Sequence, residues 1–500
     1  MVFRWLPVFF ISLALSVVAC GTDDPAPESK GEDGPDPEAA LSVTIQTGPG
    51  KHTADTSAEF TFSLDDAAPA PSEVTFQCRL NEAQWEVCAS PHSYEDLPEG
   101  THTFSVRATD AARDVNGQPA AYQWEIELTP SENGEGDVEE DPVWISMVTG
   151  EYHTCGLKPD GTLWCWGNNE YGQLGNGTAG YHEAKTKPTQ EARMDTDWVS
   201  AGSGWNHTCG IKGDGTLWCW GDNGDGKLGD GTEEQRLEPT QVGVDTDWVA
   251  VDAGGDHTCG IKDDGTLWCW GDNFRGQCGT GSSEEKHDEP TQEAREDTDW
   301  ESVSAGGRHT CAVKTDGTLW CWGDNFNGPL GDSTTERRYE PRQVSGSASN
   351  WMSVSADDSH TCAVRTDGTL WCWGSNSYNR LGDGTDEDRR LVPTQEAGMD
   401  SDWAAVGTGW GHSCGVKTDG TLWCWGRNRH GNLGDGTEDN RDTPTQEVGM
   451  DTDWASVNAG GDHTCSMKED GTLWCWGDNH HGQLGDGTTE HRSKPGEVEE

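Results

Sequence analysis

The sequence predicts an all-β chain: a seven-bladed β-propeller over residues 143–500, preceded by a small β-sandwich over residues 41–130. Three observations carry this. A unit of about 50 residues, a length typical of radial or stacked repeats, returns seven times after Trp144. Each unit holds two cysteines at one invariant spacing, Cys-x9-Cys, across a turn sequence. Each unit also reads as four short β segments: Trp-x2-Val, His-Thr-Cys-Gly-x-Lys, Thr-Leu-Trp-Cys-Trp and Pro-Thr-Gln. Four strands per unit is the composition of a propeller blade.

The second and third segments form a hairpin. In the copy at 255–273 the loop is Asp263-Asp264-Gly265, with Gly265 at the position that needs positive φ. That register pairs Lys262 with Thr266, Ile261 with Leu267, Gly260 with Trp268 and Cys259 with Cys269. The cysteines then face each other at a non-hydrogen-bonded site, where Cα atoms lie roughly 4.5 Å apart and a disulfide fits. The predicted bonds join Cys155 with Cys165, Cys209 with Cys219, Cys259 with Cys269, Cys311 with Cys321, Cys362 with Cys372, Cys414 with Cys424 and Cys465 with Cys475. The small residues opposite the first Trp of Trp-Cys-Trp (Gly156, Gly210, Gly260, Ala312, Ala363, Gly415, Ser466) are expected to leave room for that indole. Both hairpin faces are apolar, so both require cover, which neighbouring blades supply.

Composition narrows the setting. Against 33 basic residues stand 89 acidic ones, a net charge of −56 that repels nucleic acid and anionic membranes. Hydrophobic residues make up only 32%, yet 26 Trp supply large buried areas. Of 18 cysteines, fourteen lie in the repeats, Cys78 and Cys88 form a further Cys-x9-Cys pair, Cys20 lies in the leader, and Cys278 is left over. Pairing at this density implies an oxidising compartment. Zinc is the rival reading, but paired Cys-x2-Cys is absent, so no metal ligand is assigned.

Residues 1–20 carry Arg4, an apolar run from Trp5 to Val18 and the ending Val17-Val18-Ala19-Cys20. The run is short for a membrane span and suits a secretory signal. Its end resembles the bacterial lipobox, which implies lipidation at Cys20. Gly21 stands where the inner-membrane retention signal of enteric lipoproteins has Asp, so the resemblance implies an outer-membrane or cell-surface address. Residues 21–40 are an acidic, Pro- and Gly-containing linker, and 131–142 another. Between them, Ser42–Gln46, Glu59–Ser63, Val74–Leu80, Gln84–Cys88, Thr101–Thr109 and Tyr122–Leu128 read as strands. Phe76-Gln77-Cys78-Arg79-Leu80 through Pro91, then Gly100-Thr101-His102-Thr103-Phe104-Ser105-Val106, resemble the immunoglobulin-like modules of bacterial surface proteins. That resemblance implies a spacer or stalk.

In the array, Ala-Gly-x2-His-Thr followed by Asp-Gly-Thr-Leu-Trp-x-Trp-Gly-Asp-Asn-x2-Gly-Gln-Leu-Gly, as over 459–485, resembles the regulator of chromosome condensation repeat family. The resemblance spans roughly 144–498 and implies a propeller. The cysteine pairs, the acidic charge and the lack of an inserted β-wing depart from the nuclear founding member, so none of that member's functional residues are carried over.

Chemistry requires residues that break the repeat. His153, His207, His257, His309, His360, His412 and His463 recur in every copy and are expected to make one internal hydrogen bond per blade. The pairs Asp222 and Asn223, Asp272 and Asn273, Asp324 and Asn325, and Asp478 and Asn479 read as turn formers, with weak calcium binding by clustered carboxylates as a second reading. Departures from the repeat are Tyr181-His182, Lys185, Trp205, Cys278, Pro329 with Ser333, Tyr378-Asn379-Arg380, Trp410, Arg427 and Arg429-His430. Cys278 fills a slot held elsewhere by Leu. Length varies only after Trp-Cys-Trp-Gly, and such loops are often the binding face. Trp205 and Trp410 share one slot and suit interface anchors. No catalytic motif and no cofactor site is assigned. The predicted protein is a monomeric, lipid-anchored, non-catalytic scaffold of the bacterial cell envelope. It binds a protein partner and not nucleic acid, and meets the membrane only through its anchor. The alternatives are an inhibitor of a secreted enzyme and a propeller lyase or hydrolase with a site in the central channel.

Overall fold

The computed structural model describes residues 144–499 and, before them, 43–47, 52–53, 57–64, 74–81, 83–94, 97, 100–110, 115–116 and 119–126. Cys20, the 1–20 leader and the linkers at 21–40 and 131–142 lie outside the described residues. The chain divides into two compact units, Met1–Asp137 and Val138–Glu500.

In the first unit Val43–Thr47, Ala58–Leu64 and His92–Tyr94 form one sheet. A second contains His52–Thr53, Ala120–Ile126, Gly100–Asp110, Val74–Leu80 and Glu86–Cys88, with Val115–Asn116 paired to Gly100–Asp110. Phe60 and Phe62 from the first sheet and Phe104, Val106 and Trp124 from the second share one core, where Phe60 stacks on Phe104 at 4.1 Å. His52–Thr53, His92–Tyr94 and Val115–Asn116 have no counterpart in the strand prediction, since runs of two or three residues carry no legible period. Cys78 and Cys88 are bonded across a diagonal, because Cys78 faces Glu86 and Phe76 faces Cys88.

The second unit consists of seven four-stranded antiparallel sheets. In the third, Trp248–Ala253, His257–Lys262, Leu267–Asp272 and Lys286–Gln292 run from inside to outside in chain order. The hairpin has the register read from the sequence, with Cys259 opposite Cys269 and Gly260 opposite Trp268. Gly265 takes φ 78°, and the Asp264 carboxylate accepts from the Thr266 amide and hydroxyl.

Every hairpin carries its disulfide. Cys155 is bonded to Cys165, Cys209 to Cys219, Cys259 to Cys269 and Cys311 to Cys321. Cys362 is bonded to Cys372, Cys414 to Cys424 and Cys465 to Cys475. In each of the seven the two cysteines are direct cross-strand partners, unlike Cys78 and Cys88. The Cα atoms lie 4.1 Å apart in the Cys259–Cys269 hairpin, closer than the spacing expected from ladder geometry.

The room made by the small residues is taken by a different indole from the one expected. A Cβ placed on Gly260 would meet Cζ3 of Trp248 at 2.7 Å, so the small residue accommodates the Trp that opens the sheet, not Trp268. A bulge just after that Trp causes this: the register slips between Trp248 and Ala250, which turns Trp248 inward and pushes Val249 out.

Sheets pack disulfide face against indole face. Cys209, Ile211, Leu217 and Cys219 of the second sheet cluster with Trp248 and Trp270 of the third. Cys465, Leu473 and Cys475 of the last cluster in the same way with Trp144 and Trp166 of the first. The ring therefore closes without exchanging a strand. Trp144 N–H donates to the Gly471 carbonyl at 2.8 Å, the bond that Trp248 makes to Gly215 at an ordinary junction.

The seven histidines sit at these junctions. The expected bond within a blade is instead a bond between blades, because the imidazole points across the packed faces to the next sheet's hydroxyl. His153 Nε2 meets Thr208 Oγ1 at 2.9 Å, and the series continues until His463 meets Thr154 at 3.0 Å. Each hydroxyl donates onward to a loop carbonyl, as Thr208 does to Gln173 at 2.9 Å. The hydroxyl proton is thus committed, so Nε2 carries the proton it donates. Burial lowers the pKa of His257 and His309 to about 3 and keeps these rings neutral.

Candidate functional site: the channel mouth and its loops

Antiparallel order fixes two faces. Loops joining first to second and third to fourth strands emerge on one face. The hairpin loops and the connections between sheets emerge on the other. The first strands surround a central channel with a cavity of about 270 Å³.

Channel-lining polar groups largely tie the sheets together. Asp252 accepts from the amides of Ala305, at 2.8 Å, and Ala253, at 3.0 Å. Ser304 and Ser355 occupy the same slot and accept from Ala356 and Thr408 of the following sheets, each at 3.0 Å. Asn458 accepts from the Thr149 hydroxyl and joins the last sheet to the first. Burial raises the Asp252 pKa to about 7, against the pull of its amide donors.

At the mouth, the first-to-second loops bring Asp256, Asp358 and Asp462 within electrostatic reach of Glu151. Burial raises the Glu151 pKa, a bond from Tyr152 opposes this, and the carboxylates of Asp358, Asp462 and Asp256 add to the rise. Cations from the long loops answer several of these charges. Lys227 lies 2.7 Å from Asp222 and 2.5 Å from Asp256. Arg427 pairs with both oxygens of Asp462 at 3.1 and 3.2 Å. Arg380 is buried and reaches Ser359 Oγ at 3.2 Å.

The two tryptophans of the shared slot differ. Trp205 lies over the next two sheets, where a Cβ on Gly255 would fall 2.9 Å from its Cε2 and one on Gly307 3.0 Å from its Cζ2. Trp410 remains 43% exposed. Beside it, the Arg427 guanidinium stands 5.6 Å from the Trp410 ring and 5.3 Å from Tyr378, itself 51% exposed. Trp410, Tyr378 and Arg427 form an aromatic–cation surface over the fifth to seventh sheets. Phe274, Phe326 and Tyr181 are exposed on the same face.

Other departures have local roles. Cys278 is free and buried, its amide donating to Asn273 as Leu228 donates to Asn223. The Pro329 carbonyl accepts from Thr361 and Trp373. Ser333, Tyr378 and Asn379 take positive φ at tight loop corners. Of the carboxylates offered to calcium in the second reading, Asp222 is held by Lys227, Asp272 accepts from the Phe274 amide and Gln277 Nε2, and Asp324 lies 3.5 Å from Arg275.

One cluster escapes the sequence reading. At the junction of the last two sheets His430, His480 and His491 surround Asp478. Of these four the sequence singles out His430, as a departure from the repeat, and Asp478, as a turn former, but neither His480 nor His491. The signal is present in Asn479-His480-His481 and Glu490-His491, where histidine replaces the residues of other copies, but nothing in one dimension joins neighbouring loops.

Comparison with known proteins follows the same organisation. Residues 117–454 match the RCC1-like domain, and 454–483 and 470–500 each match the regulator of chromosome condensation (RCC1) repeat. The chain is 31% identical over 363 residues to the ultraviolet-B receptor UVR8 of Arabidopsis thaliana, covering 71% of this chain and 81% of the receptor. It is 30% identical over 355 residues to the human E3 ubiquitin-protein ligase HERC2, covering 70% of this chain but 6% of the ligase. The structure of Kap60 bound to yeast RCC1 (Prp20) matches with a TM-score of 0.61 at 18% identity, over 75% of this chain and 91% of that one, a likeness of fold.

Proposed function

Because the chain belongs to the RCC1-like domain family, we propose that it is a non-catalytic protein-binding scaffold whose seven sheets act as seven propeller blades presenting the channel-mouth face to a protein partner. The observation that carries this is the Trp410–Tyr378–Arg427 surface: exposed aromatics beside a partly buried arginine are the residue types that anchor interfaces. Yeast RCC1, of similar fold, has been crystallised with a protein, Kap60. Commitment of the channel's polar side chains to inter-sheet bonds favours binding over chemistry.

In this reading Cys20 is lipidated at the envelope surface, residues 21–40 tether the chain, and the 41–130 unit is an immunoglobulin-like β-sandwich that serves as a stalk. Disulfides between adjacent strands accord with export to an oxidising compartment. Crosslinking capture with the wild type and Trp410→Ala tests the scaffold. A partner retained by the first and lost by the second supports it, and equal recovery refutes it. Detergent-phase partitioning tests the anchor: Cys20→Ser should release the protein, and unchanged partitioning rejects lipidation.

A further inference from the structure

We propose that the junction of the last two sheets holds a divalent transition-metal ion, Zn²⁺ or a similar borderline ion, through His430, His491 and Asp478. One ligand atom from each of these three lies within 4.8 Å of the others, the one such group among the described residues. A tetrahedral zinc site, with bonds of about 2.0–2.2 Å, separates its ligand atoms by about 3.3 Å. Modest ring rotations close the difference: His491, whose Nδ1 takes the Asn479 amide at 3.0 Å and lies 3.2 Å from Asp478 Oδ1, is exposed, so its ring can turn to an ion.

The junction explains why imidazoles meet here. At the third-to-fourth junction the equivalent slots hold Arg275 and Asp324, an ion pair at 3.5 Å. The fold thus aims the residue at the His430 position toward the carboxylate opening the next long loop. In the last pair the cation is replaced by His430, and His480 and His491 are added from the loop beyond. Their rings lie close, His430 to His491 at 4.6 Å and His480 to His491 at 4.3 Å between centroids. Protonated together, such rings would repel; a metal ion removes the conflict, because imidazole binds it neutral.

The carboxylate is held as a ligand needs to be. Asp478 is buried, with Oδ2 accepting from Gln483 Nε2 at 2.8 Å. His480 Nδ1 lies 2.6 Å from Oδ1, which makes His480 a positioning residue for the carboxylate. Three protein ligands leave a fourth position open to solvent on the channel-mouth face. The proposal does not depend on the scaffold reading.

The test uses the untagged, disulfide-intact full chain, stripped with chelator and titrated with Zn²⁺ by calorimetry alongside thermal melting. The wild type should bind one ion and melt higher with it. His430→Ala and His491→Ala should bind at least tenfold more weakly, while their metal-free melting stays within a degree or two of the wild type. His480→Ala should lose less. Cobalt substitution adds a second readout: visible bands of a four-coordinate imidazole–carboxylate site in the wild type, absent in His430→Gln. Absence of saturable binding by the wild type, or equal binding by the double variant carrying His430→Ala and His491→Ala, overturns the proposal.

Discussion

The two faces of the propeller unit are built from the same repeat and used differently. On the hairpin face the same device returns: Lys262 lies over Trp248 and Trp268, at 5.0 and 5.2 Å from the ring centroids, and pairs with Asp245 and Asp247. Lys212, Lys314, Lys417 and Lys468 repeat it. On the channel-mouth face, equivalent slots hold Glu151, Trp205, Gly255, Gly307, Asp358, Trp410 and Gly461. Regularity marks what every sheet needs in order to stack, and departure marks what one place on the ring does alone. Predictions therefore divide: damage to repeated features lowers stability and spares recognition, and damage to unique ones does the reverse.

The largest effect is expected from the histidine ring, the most regular feature. Burial lowers these imidazoles to about 3 in His257, His309 and His412, against about 6.5 in an unfolded chain. Between those values the unfolded state binds more protons, so stability rises with pH through that window and is lost as pH falls from about 6.5 toward 3. Seven such groups should make acid unfolding steep, with carboxylates such as Asp230 adding to the loss in its lower part. Denaturant midpoints at pH 8, 6 and 4.5 check this, and a flat profile contradicts it. His309→Ala should cost roughly 2–4 kcal/mol at pH 8 through its cavity and the lost donor to Thr361 Oγ1, whose own proton stays on the Pro329 carbonyl.

Next in size are the disulfides. A closed loop of about ten residues contributes roughly 2.5–3 kcal/mol in the chain-entropy model. The variant carrying Cys362→Ala and Cys372→Ala should melt lower by that order, stay folded and keep partner binding, since each bond joins strands already paired within one sheet. Loss of binding at a temperature where the fold survives would make that bond functional rather than structural.

A smaller change is expected on the hairpin face. Lys262→Met keeps the stem between the two indoles but removes the cation, and should cost about 1 kcal/mol. Arg365 gives an internal comparison: it lies over Trp351 and Trp371, but Ala348 and Asn350 replace the two acids of other copies. Arg365→Met should therefore cost less than Lys262→Met, measured by urea unfolding.

The same division governs what can be read in one dimension. Hairpin register, cysteine pairing and four strands per unit are legible because each is stated seven times, and one consistent reading satisfies all copies. The bulge after Trp248 is not, because a local slip leaves no period, and it misassigns which indole Gly260 accommodates. The histidine bond is misplaced within a blade because its partner, Thr310 for His257, lies in the next copy. Trp205 and Trp410 are indistinguishable by position. What separates them is their neighbours, glycines under Trp205 and the Arg427–Tyr378 pair beside Trp410. The His430–His480–His491 cluster escapes for the same reason.

Partner affinity after one substitution on each face tests the division most directly. Trp410→Ala removes an exposed aromatic of the channel-mouth face, and Val249→Glu charges an exposed aliphatic of the hairpin face. With the partner recovered by crosslinking, titration should show Trp410→Ala weakening binding at least tenfold, with unchanged melting, and Val249→Glu leaving affinity within twofold of the wild type. Loss of binding in Val249→Glu with full affinity in Trp410→Ala would place recognition on the regular face and contradict the account.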